Sequence, residues 1–308
     1  MNILVSGSSG LIGTALTGRL DAEGHTVTRL VRGGTGSAGG SSPTVAWDPD
    51  AGTIDTEGLE RRGPLDAVVH LAGAGIGDMR WSPDRKRVIL ESRTRSTQLL
   101  VGALTSLSTP PGVLVSASAV GYYGIRGDEV LTEASAPGTD FLADVCTAWE
   151  EAAAPAAAAG IRTVTLRTGI VLSPSGGALG KQLPLFRWGV GGRMGSGRQY
   201  RSWITLEDEI GVILHCLGDD GLSGPVNATA PAPATDGELA KALGAALHRP
   251  TVLAVPAPAL RLVLGTEMAE ELVLGGQRVL PAVLEARGYT FAHPTLDEAV
   301  RSVLSPVA

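Results

Sequence analysis

The stretch Asn2-Ile3-Leu4-Val5-Ser6-Gly7-Ser8-Ser9-Gly10-Leu11-Ile12-Gly13 opens the chain and decides its fold. Its apolar half predicts a short buried strand over residues 3–5, and a helical pattern begins directly after the glycines, over residues 11–23. A glycine-rich turn between a strand and a helix presents free backbone N–H groups and the positive end of the helix dipole. Such a turn predicts a pyrophosphate site, and its place after the first strand argues against a merely structural turn.

Short β-branched runs alternate with helical patterns over the first 170 residues. The predicted strands cover residues 3–5, 26–31, 67–71, 113–116 and 163–166, and the predicted helices cover residues 11–23, 84–107 and 140–153. This alternation predicts an α/β fold, a doubly wound parallel sheet of the Rossmann type with helices on both faces. Pro155 is expected to end or kink the third helix, because an interior proline costs about 3 kcal/mol.

The chain divides into two predicted domains. Residues 1–172 form the Rossmann domain, to which residues 201–222 return, and residues 173–200 and 223–308 form a smaller mixed substrate domain. The βα rhythm fades into a glycine-rich stretch after residue 173 and resumes briefly near Trp203. The Gly/Ser-rich segment 33–42 is expected to be a flexible surface linker.

Composition limits the classes of function. With a formal net charge of −6, the chain has no electrostatic reason to take nucleic acid or an anionic membrane as its main partner. Cys146 and Cys216 lack metal-ligand spacing, so neither a disulfide framework nor a metal site is expected. No basic leader precedes the first strand and no apolar run reaches membrane length, so we expect a cytoplasmic protein with a small-molecule substrate.

The end of the second predicted strand distinguishes two nicotinamide cofactors. NAD-binding Rossmann proteins usually carry an acidic residue there, which binds the ribose hydroxyls. This strand instead ends in Leu30-Val31-Arg32. Arg32, with Arg29 or the loop amides after it, would pair with the 2′-phosphate of NADP. The sequence therefore favours NADP over NAD, and the alternative is a solvated arginine at a strand end.

Four motifs together carry a resemblance to a known family. They are residues 7–13, His70-Leu71-Ala72-Gly73, Ser116-Ala117-Ser118-Ala119-Val120-Gly121-Tyr122-Tyr123-Gly124 and Arg167-Thr168-Gly169. With them the chain resembles an atypical extended short-chain dehydrogenase/reductase of the NAD(P)-dependent epimerase/dehydratase, or nucleoside-diphosphate-sugar epimerase, family. The resemblance covers nearly the whole chain, including the small C-terminal domain of that family.

The resemblance implies a cofactor across the carboxyl ends of the strands and a sugar-nucleotide-like substrate between the two domains. Ser118 would face the nicotinamide, and a homodimer is possible. The residues that the resemblance and the strand-end argument assign to the cofactor are Gly7, Ser9, Gly10, Leu11, Ile12, Gly13, Arg32, Leu71, Ala72, Gly73, Ser116 and Arg167.

The catalytic tetrad of the family does not carry over to this chain. Ordinary members use Asn, Ser, Tyr and Lys, the last two one helical turn apart, so that the ammonium lowers the pKa of the phenol for proton transfer. If Glu150 matches the glutamate that commonly follows this Tyr-x-x-x-Lys, the two positions fall on Leu142 and Cys146. Matching residues 97–100 to the corresponding helix puts Arg93 at the asparagine position.

A substitute catalytic set is predicted from Ser118, Tyr122 and Arg93. Ser118 survives from the serine motif, and Tyr122 or Tyr123 follows it on the same loop. Arg93 lies at the edge of the buried stripe of its helix, where an arginine needs a carboxylate or a ligand phosphate as partner. The alternative is a packed tyrosine pair and a structural ion pair.

Three functions stay open at this level. The first is an NADP-dependent enzyme that transfers hydride to and from the nicotinamide on a sugar-like or other polyhydroxylated substrate. The second is a regulatory protein that binds NADPH without catalysis, and the third is a scaffold or cell-division-associated factor, a role attached to some relatives. The retained Ser118 and tyrosine loop favour the enzyme, and the missing Tyr/Lys pair favours the other two.

Overall fold

The computed structural model describes residues 1–33 and 42–305. Within these residues the strands are β1 (Asn2–Ser6), β2 (Thr26–Arg32), β3 (Thr44–Asp48), β4 (Thr53–Ile54), β5 (Ala67–His70), β6 (Val113–Ala119), β7 (Val130–Leu131), β8 (Arg162–Thr168), β9 (Ile170–Leu172), β10 (Arg193–Met194), β11 (Tyr200–Arg201), β12 (Trp203–Thr205), β13 (Gly224–Ala228), β14 (Ala234–Thr235), β15 (Ala254–Val255) and β16 (Arg278–Val279). The predicted linker 33–42 lies, except for its two end residues, outside the described residues.

The helices within the same residues are α1 (Leu11–Ala22), α2 (Thr56–Glu60), α3 (Pro83–Ser106), α4 (Phe141–Ala158), α5 (Gly177–Arg187), α6 (Leu206–Gly218), α7 (Asp236–Leu247), α8 (Ala257–Leu264), α9 (Thr266–Ala269), α10 (Ala282–Ala286) and α11 (Leu296–Leu304). A 3-10 turn covers Val120–Tyr123 and a π-helical turn covers Glu270–Leu274. No helix of the described residues is long and apolar enough to cross a membrane.

An eight-stranded sheet organises the molecule in the order β13-β8-β6-β5-β1-β2-β3-β4. Its neighbours pair in parallel except β3 and β4, which pair antiparallel. The strand order reverses between β1 and β5, and ligands of such open sheets bind outside the carboxyl ends of the strands at that point. The predicted Rossmann fold is confirmed.

The two faces of the sheet carry separate cores. Ile3 and Val5 of β1 pack with Leu16 of α1 and Ile213 of α6 on one face. Leu4, between them, packs on the opposite face with Leu100 of α3 and Ala156 of α4, among others. Successive side chains of a strand point to opposite faces of the sheet, so a strand that is buried on both faces contributes residues to both cores.

Two boundaries differ from those expected from the sequence. Helix α4 continues through Pro155 to Ala158, because Ala153 and Ala156 are fully buried and their packing outweighs the lost backbone hydrogen bond. The sheet also takes in β13, beyond the boundary placed at residue 222. Pro225 hid this strand in the sequence, yet it is tolerated because β13 lies at the edge of the sheet.

Two short elements of the C-terminal region pack against the Rossmann part of the chain. Strand β16 pairs in parallel with β7, and Leu284 of α10 is fully buried in the core that contains β1 and α6. A smaller cluster, in which Trp203, Leu243 and Val300 take part, forms the core of the substrate-side region. Residues from the C-terminal part of the chain therefore contribute to both cores.

Candidate functional site

The first β–α turn holds the N-terminus of α1 against the end of β1. A Cβ added to Gly13 would lie 2.2 Å from the carbonyl oxygen of Gly7, so a larger residue would push the helix away from the strand. Gly10 is the N-cap of α1, no side chain caps the helix, and its first turn has no acidic residue. The first N–H groups and the helix dipole are therefore free to bind an anion, and the turn fits a pyrophosphate.

Arg32 lies at the carboxyl end of β2, two residues beyond Leu30, which pairs with Ser6 at the end of β1. Its side chain is exposed, and it takes part in none of the ion pairs found among the described residues. The backbone of Arg32 thus follows the strand next to the glycine turn, at the position where an NAD-binding protein would carry its acidic residue.

A second turn, Leu71–Gly73, lies directly against the first. A Cβ on Gly7 would lie 2.7 Å from the carbonyl carbon of Leu71 and 2.9 Å from the amide nitrogen of Ala72. The side chain of Ala72 is buried, so this turn can meet a ligand through its backbone. On the far side, a Cβ on Gly73 would lie 3.3 Å from Cζ of Arg93, which places the turn between the phosphate loop and that arginine.

A buried polar network lies beneath the serine motif. The hydroxyl of Ser118 donates to Oε1 of Glu150 at 2.7 Å. Nε and Nη2 of Arg167 donate to the two oxygens of the same carboxylate, both at 2.8 Å, and Nη1 donates to the hydroxyl of Tyr123 at 3.0 Å. Tyr123 in turn donates to Oδ1 of Asn227 at 2.6 Å. The network joins α4 to β6, β8 and β13.

Two residues expected to contact the cofactor, Arg167 and Ser116, have buried side chains. The side chain of Arg167 is 3% exposed and its guanidinium is already paired with a carboxylate, so it is not presented to the cleft. Ser116 is 1% exposed, and its hydroxyl has no hydrogen-bond partner among the described residues. Both side chains point into packed protein, because the strand faces that carry them are covered by helices.

The two tyrosines of the motif differ in environment. Tyr123 is fully buried, and burial raises the pKa of its phenol to about 12. Tyr122 is half-buried, packs edge-on against Tyr123 with ring centroids 5.3 Å apart, and has Cζ of Arg167 3.4 Å from its ring centroid. A cation over the ring face stabilises it by about 0.5–2 kcal/mol, which fixes the orientation of Tyr122.

The positions matched to the missing tyrosine and lysine form an apolar wall. A Cβ on Gly121 would lie 3.3 Å from Cβ of Leu142 and 3.6 Å from Sγ of Cys146. Burial raises the pKa of the Cys146 thiol to about 12, and the nearby Arg93 does not offset this. The thiol is therefore protonated at neutral pH and supplies neither a base nor a cation.

Sequence reasoning did not identify the partner of Ser118. Glu150 lies four residues after Cys146 and so occupies the same face of α4 one turn later. This spacing is the sequence signal that could have identified Glu150 as a residue of the site. A second missed group is His70, which contacts the hydroxyls of Ser6 at 2.6 Å and Thr97 at 2.9 Å. Burial lowers the pKa of His70 to about 4, so this imidazole is neutral and holds α3 against β1.

A family model described as NAD dependent epimerase/dehydratase family matches residues 3–227, and one described as a domain of unknown function (DUF1731) matches residues 255–303. The chain belongs to the NAD dependent epimerase/dehydratase family. The family expected from the sequence is thereby confirmed.

Three relatives illustrate the similarity. The epimerase family protein Mb2239 of Mycobacterium bovis is 45% identical over 298 residues, 97% of this chain and 96% of its own. The crystal structure of human epimerase family protein SDR39U1 (isoform2) with NADPH is 34% identical and superposes with a TM-score of 0.86 over 98% of this chain and 99% of that one. A nucleoside-diphosphate sugar epimerase from Corynebacterium glutamicum is 35% identical with a TM-score of 0.79, over 99% of this chain and 58% of its own.

Proposed function

We propose that this chain binds NADP(H) across the carboxyl ends of β1, β5 and β6 and acts on a small carbonyl or polyhydroxylated, sugar-nucleotide-like substrate between the two regions. The observation that carries the proposal is the uncapped N-terminus of α1, held tightly behind β1 by Gly13. The human relative was crystallised with NADPH, which agrees with the cofactor expected from Arg32. A cytoplasmic location and a homodimer, both expected from the sequence, belong to the same proposal.

The proposal assigns a role to each of the site residues described above. The N–H groups at the start of α1 bind the pyrophosphate, and Arg32 binds the 2′-phosphate. The backbone of the Leu71–Gly73 turn lines the middle of the cofactor. When bound, the nicotinamide supplies or accepts a hydride. Tyr122 donates a hydrogen bond to the substrate carbonyl, Ser118 does so when its hydroxyl turns from Glu150 to the substrate, and Arg93 contributes positive potential.

A second candidate is an NADPH-binding regulatory protein without catalysis, related to the cell-division-associated role attached to some relatives. The specific observation in its favour is the apolar wall of Leu142 and Cys146 where the family has its tyrosine and lysine. Both candidates require the cofactor, so turnover separates them. Failure to find turnover across sugar nucleotides and small carbonyls would favour the regulatory protein.

The proposal is tested by Gly10→Val. A Cβ on Gly10 would lie 3.4 Å from the carbonyl oxygen of Gly7 and meets no other atom of the protein, whereas one on Gly13 clashes with the loop itself. A valine at Gly10 therefore leaves the turn intact but projects toward the pyrophosphate. We expect NADPH affinity, measured by calorimetry, to fall at least a hundredfold while the melting temperature without cofactor changes little.

Gly18→Val on the same helix is the control for placing a β-branched side chain at a glycine of α1, because a Cβ there meets nothing within 4 Å. If the folded Gly10→Val protein bound NADPH as tightly as the wild type, the turn would be structural only and the proposal would be wrong.

A further inference from the structure

Arg93 is a half-buried arginine with no acidic partner among the described residues. Its Nη1 donates to the carbonyl oxygen of Ile89 at 3.0 Å, one turn earlier on α3, while no described acceptor engages Nε or Nη2. Its Cζ lies 4.9 Å from the ring centroid of Trp149. A partly buried guanidinium normally pairs with a carboxylate or phosphate, since leaving it unpaired is costly.

The acids of the surrounding elements are already engaged elsewhere. Glu150 accepts from Arg167, Glu267 pairs with Lys86 at 2.6 Å, Asp78 pairs with Lys181 at 3.2 Å, and Glu271 accepts from the amide of Leu142 at 3.0 Å. On the same helix, Glu91 pairs with Arg95 at 3.1 Å, and Arg85 is a second cation, which adds to the lowering of the pKa of Arg93 by burial. The missing counter-charge must therefore come from a ligand.

The position of Arg93 indicates which ligand this is. Gly7 of the phosphate loop contacts the start of the Leu71–Gly73 turn, and Arg93 contacts its end. The opposite side of Arg93 faces Trp149 and Cys146 of α4, and Cys146 lies next to the serine motif through Gly121. Arg93 thus lies beyond the pyrophosphate, at the end of the cleft where the substrate reacts.

The geometry points to a substrate that carries a carboxylate at its reacting end, bound by the Nε–Nη2 edge of Arg93. This inference rests on the proposed function, since it uses the same cleft. The free edge is the one through which a guanidinium forms two parallel hydrogen bonds to a planar carboxylate. The substrate class is then a sugar acid or oxo acid, rather than a neutral sugar.

The test uses the full chain saturated with NADPH and pairs of small probes, one a carboxylate and the other a neutral compound of similar size, at the same ionic strength. The pairs are formate and formamide, acetate and acetamide, and glucuronate and glucose, with inorganic phosphate as a further anion. We expect carboxylates to raise the melting temperature more than their neutral partners. In Arg93→Gln this difference should disappear, which corresponds to at least a tenfold loss of carboxylate affinity.

Arg93→Lys keeps the charge without the planar fork and should respond more weakly than the wild type. Arg95→Gln is the matched control, because Arg95 is an exposed arginine of the same helix paired with Glu91 at 3.1 Å. NADPH affinity is measured separately by calorimetry, so a chain that binds no NADPH contradicts the proposed function rather than this inference.

Equal responses to carboxylates and neutral probes in the wild type would overturn the inference, as would an unchanged carboxylate response in Arg93→Gln. A tenfold loss of NADPH affinity in Arg93→Gln without any carboxylate response would also overturn it, because Arg93 would then bind a cofactor phosphate.

Discussion

Arg32 is the residue on which cofactor choice depends. We expect Arg32→Ala to weaken NADPH by ten- to a hundredfold and leave NADH almost unchanged, because one charge-assisted hydrogen bond contributes about 1.5–3 kcal/mol and NADH lacks the 2′-phosphate. Calorimetric titration with both cofactors measures this. Arg19→Ala, at an exposed arginine of α1 paired with Glu23, should bind both as the wild type does. Equal losses for NADPH and NADH would rule out the 2′-phosphate contact.

Tyr122 and Ser118 are the residues on which turnover depends, if the chain is an enzyme. Once a substrate has been found by screening with NADPH, Tyr122→Phe and Ser118→Ala should each lower kcat by about 10², the usual size of a general acid–base contribution, with NADPH affinity little changed. Tyr123→Phe instead removes a buried hydroxyl held by Arg167 and Asn227, so it should lower the melting temperature. Full activity in both of the first two variants would contradict the mechanism.

At the scale of a single element, helix α6 contains a buried carboxyl group. Glu209 is fully buried, its Oε1 accepts from the hydroxyl of Thr168 at 2.8 Å, and its Oε2 has no partner among the described residues. Burial raises the pKa of Glu209 to about 8, against about 4.3 for an unfolded glutamate. Between these values the native state holds one proton more than the unfolded state, so stability falls as the pH rises.

We therefore expect Glu209→Gln to gain free energy of unfolding relative to the wild type as the pH rises from 5 to 8, by at most about 1.4 kcal/mol per pH unit. Urea unfolding of the wild type and of Glu209→Gln at pH 5, 7 and 9 measures the difference between their free energies of unfolding. The contributions of the other titrating groups cancel in this difference, because both proteins share them. Glu285→Gln, at an exposed position of α10, is the control and should follow the wild type. A difference that is independent of pH would show that Glu209 is ionised in the native state.

At the scale of the whole molecule, the segment around β16 and α10 contributes buried residues to the Rossmann part of the chain. Leu284 and Val279 are fully buried, and the carboxylate of Asp208 on α6 accepts from the amides of Ala292 at 2.7 Å and His293 at 3.1 Å. Removing residues 278–308 would expose this core and leave the buried carboxylate of Asp208 with only the hydroxyl of Thr205 as a partner among these groups.

We expect the chain that ends at residue 277 to lose cooperative unfolding, as followed by circular dichroism. In the full chain, Leu284→Ala should cost about 2–5 kcal/mol in free energy of unfolding. Leu262→Ala, at a side chain that is 79% exposed, should change it by less than about 0.5 kcal/mol. A truncated chain with a melting temperature near that of the wild type would show that the first 277 residues fold independently.

The sequence by itself determined five strands of the sheet (β1, β2, β5, β6 and β8), the glycine turn and the basic end of β2. These are local features: the apolar runs, the helical periods and the turn glycines act on residues only a few positions away, so they can be seen in the linear sequence. The strand at Gly224–Ala228 escaped prediction because its proline obscures the pattern, and Pro155 misled because buried packing of α4 outweighs its local penalty.

Only the tertiary structure decided how the polar side chains of the site are paired. Ser118 meets Glu150 across 32 positions, Arg167 meets Tyr123 across 44, and Tyr123 meets Asn227 across 104. Such partners come together because the helices pack across the sheet, and the periodicity of the sequence does not indicate which residues will meet. This is why the motif assigns Arg167 to the cofactor, whereas burial and a carboxylate partner place its side chain in a polar network, and why the sequence does not show that Arg93 has no acidic partner among the described residues.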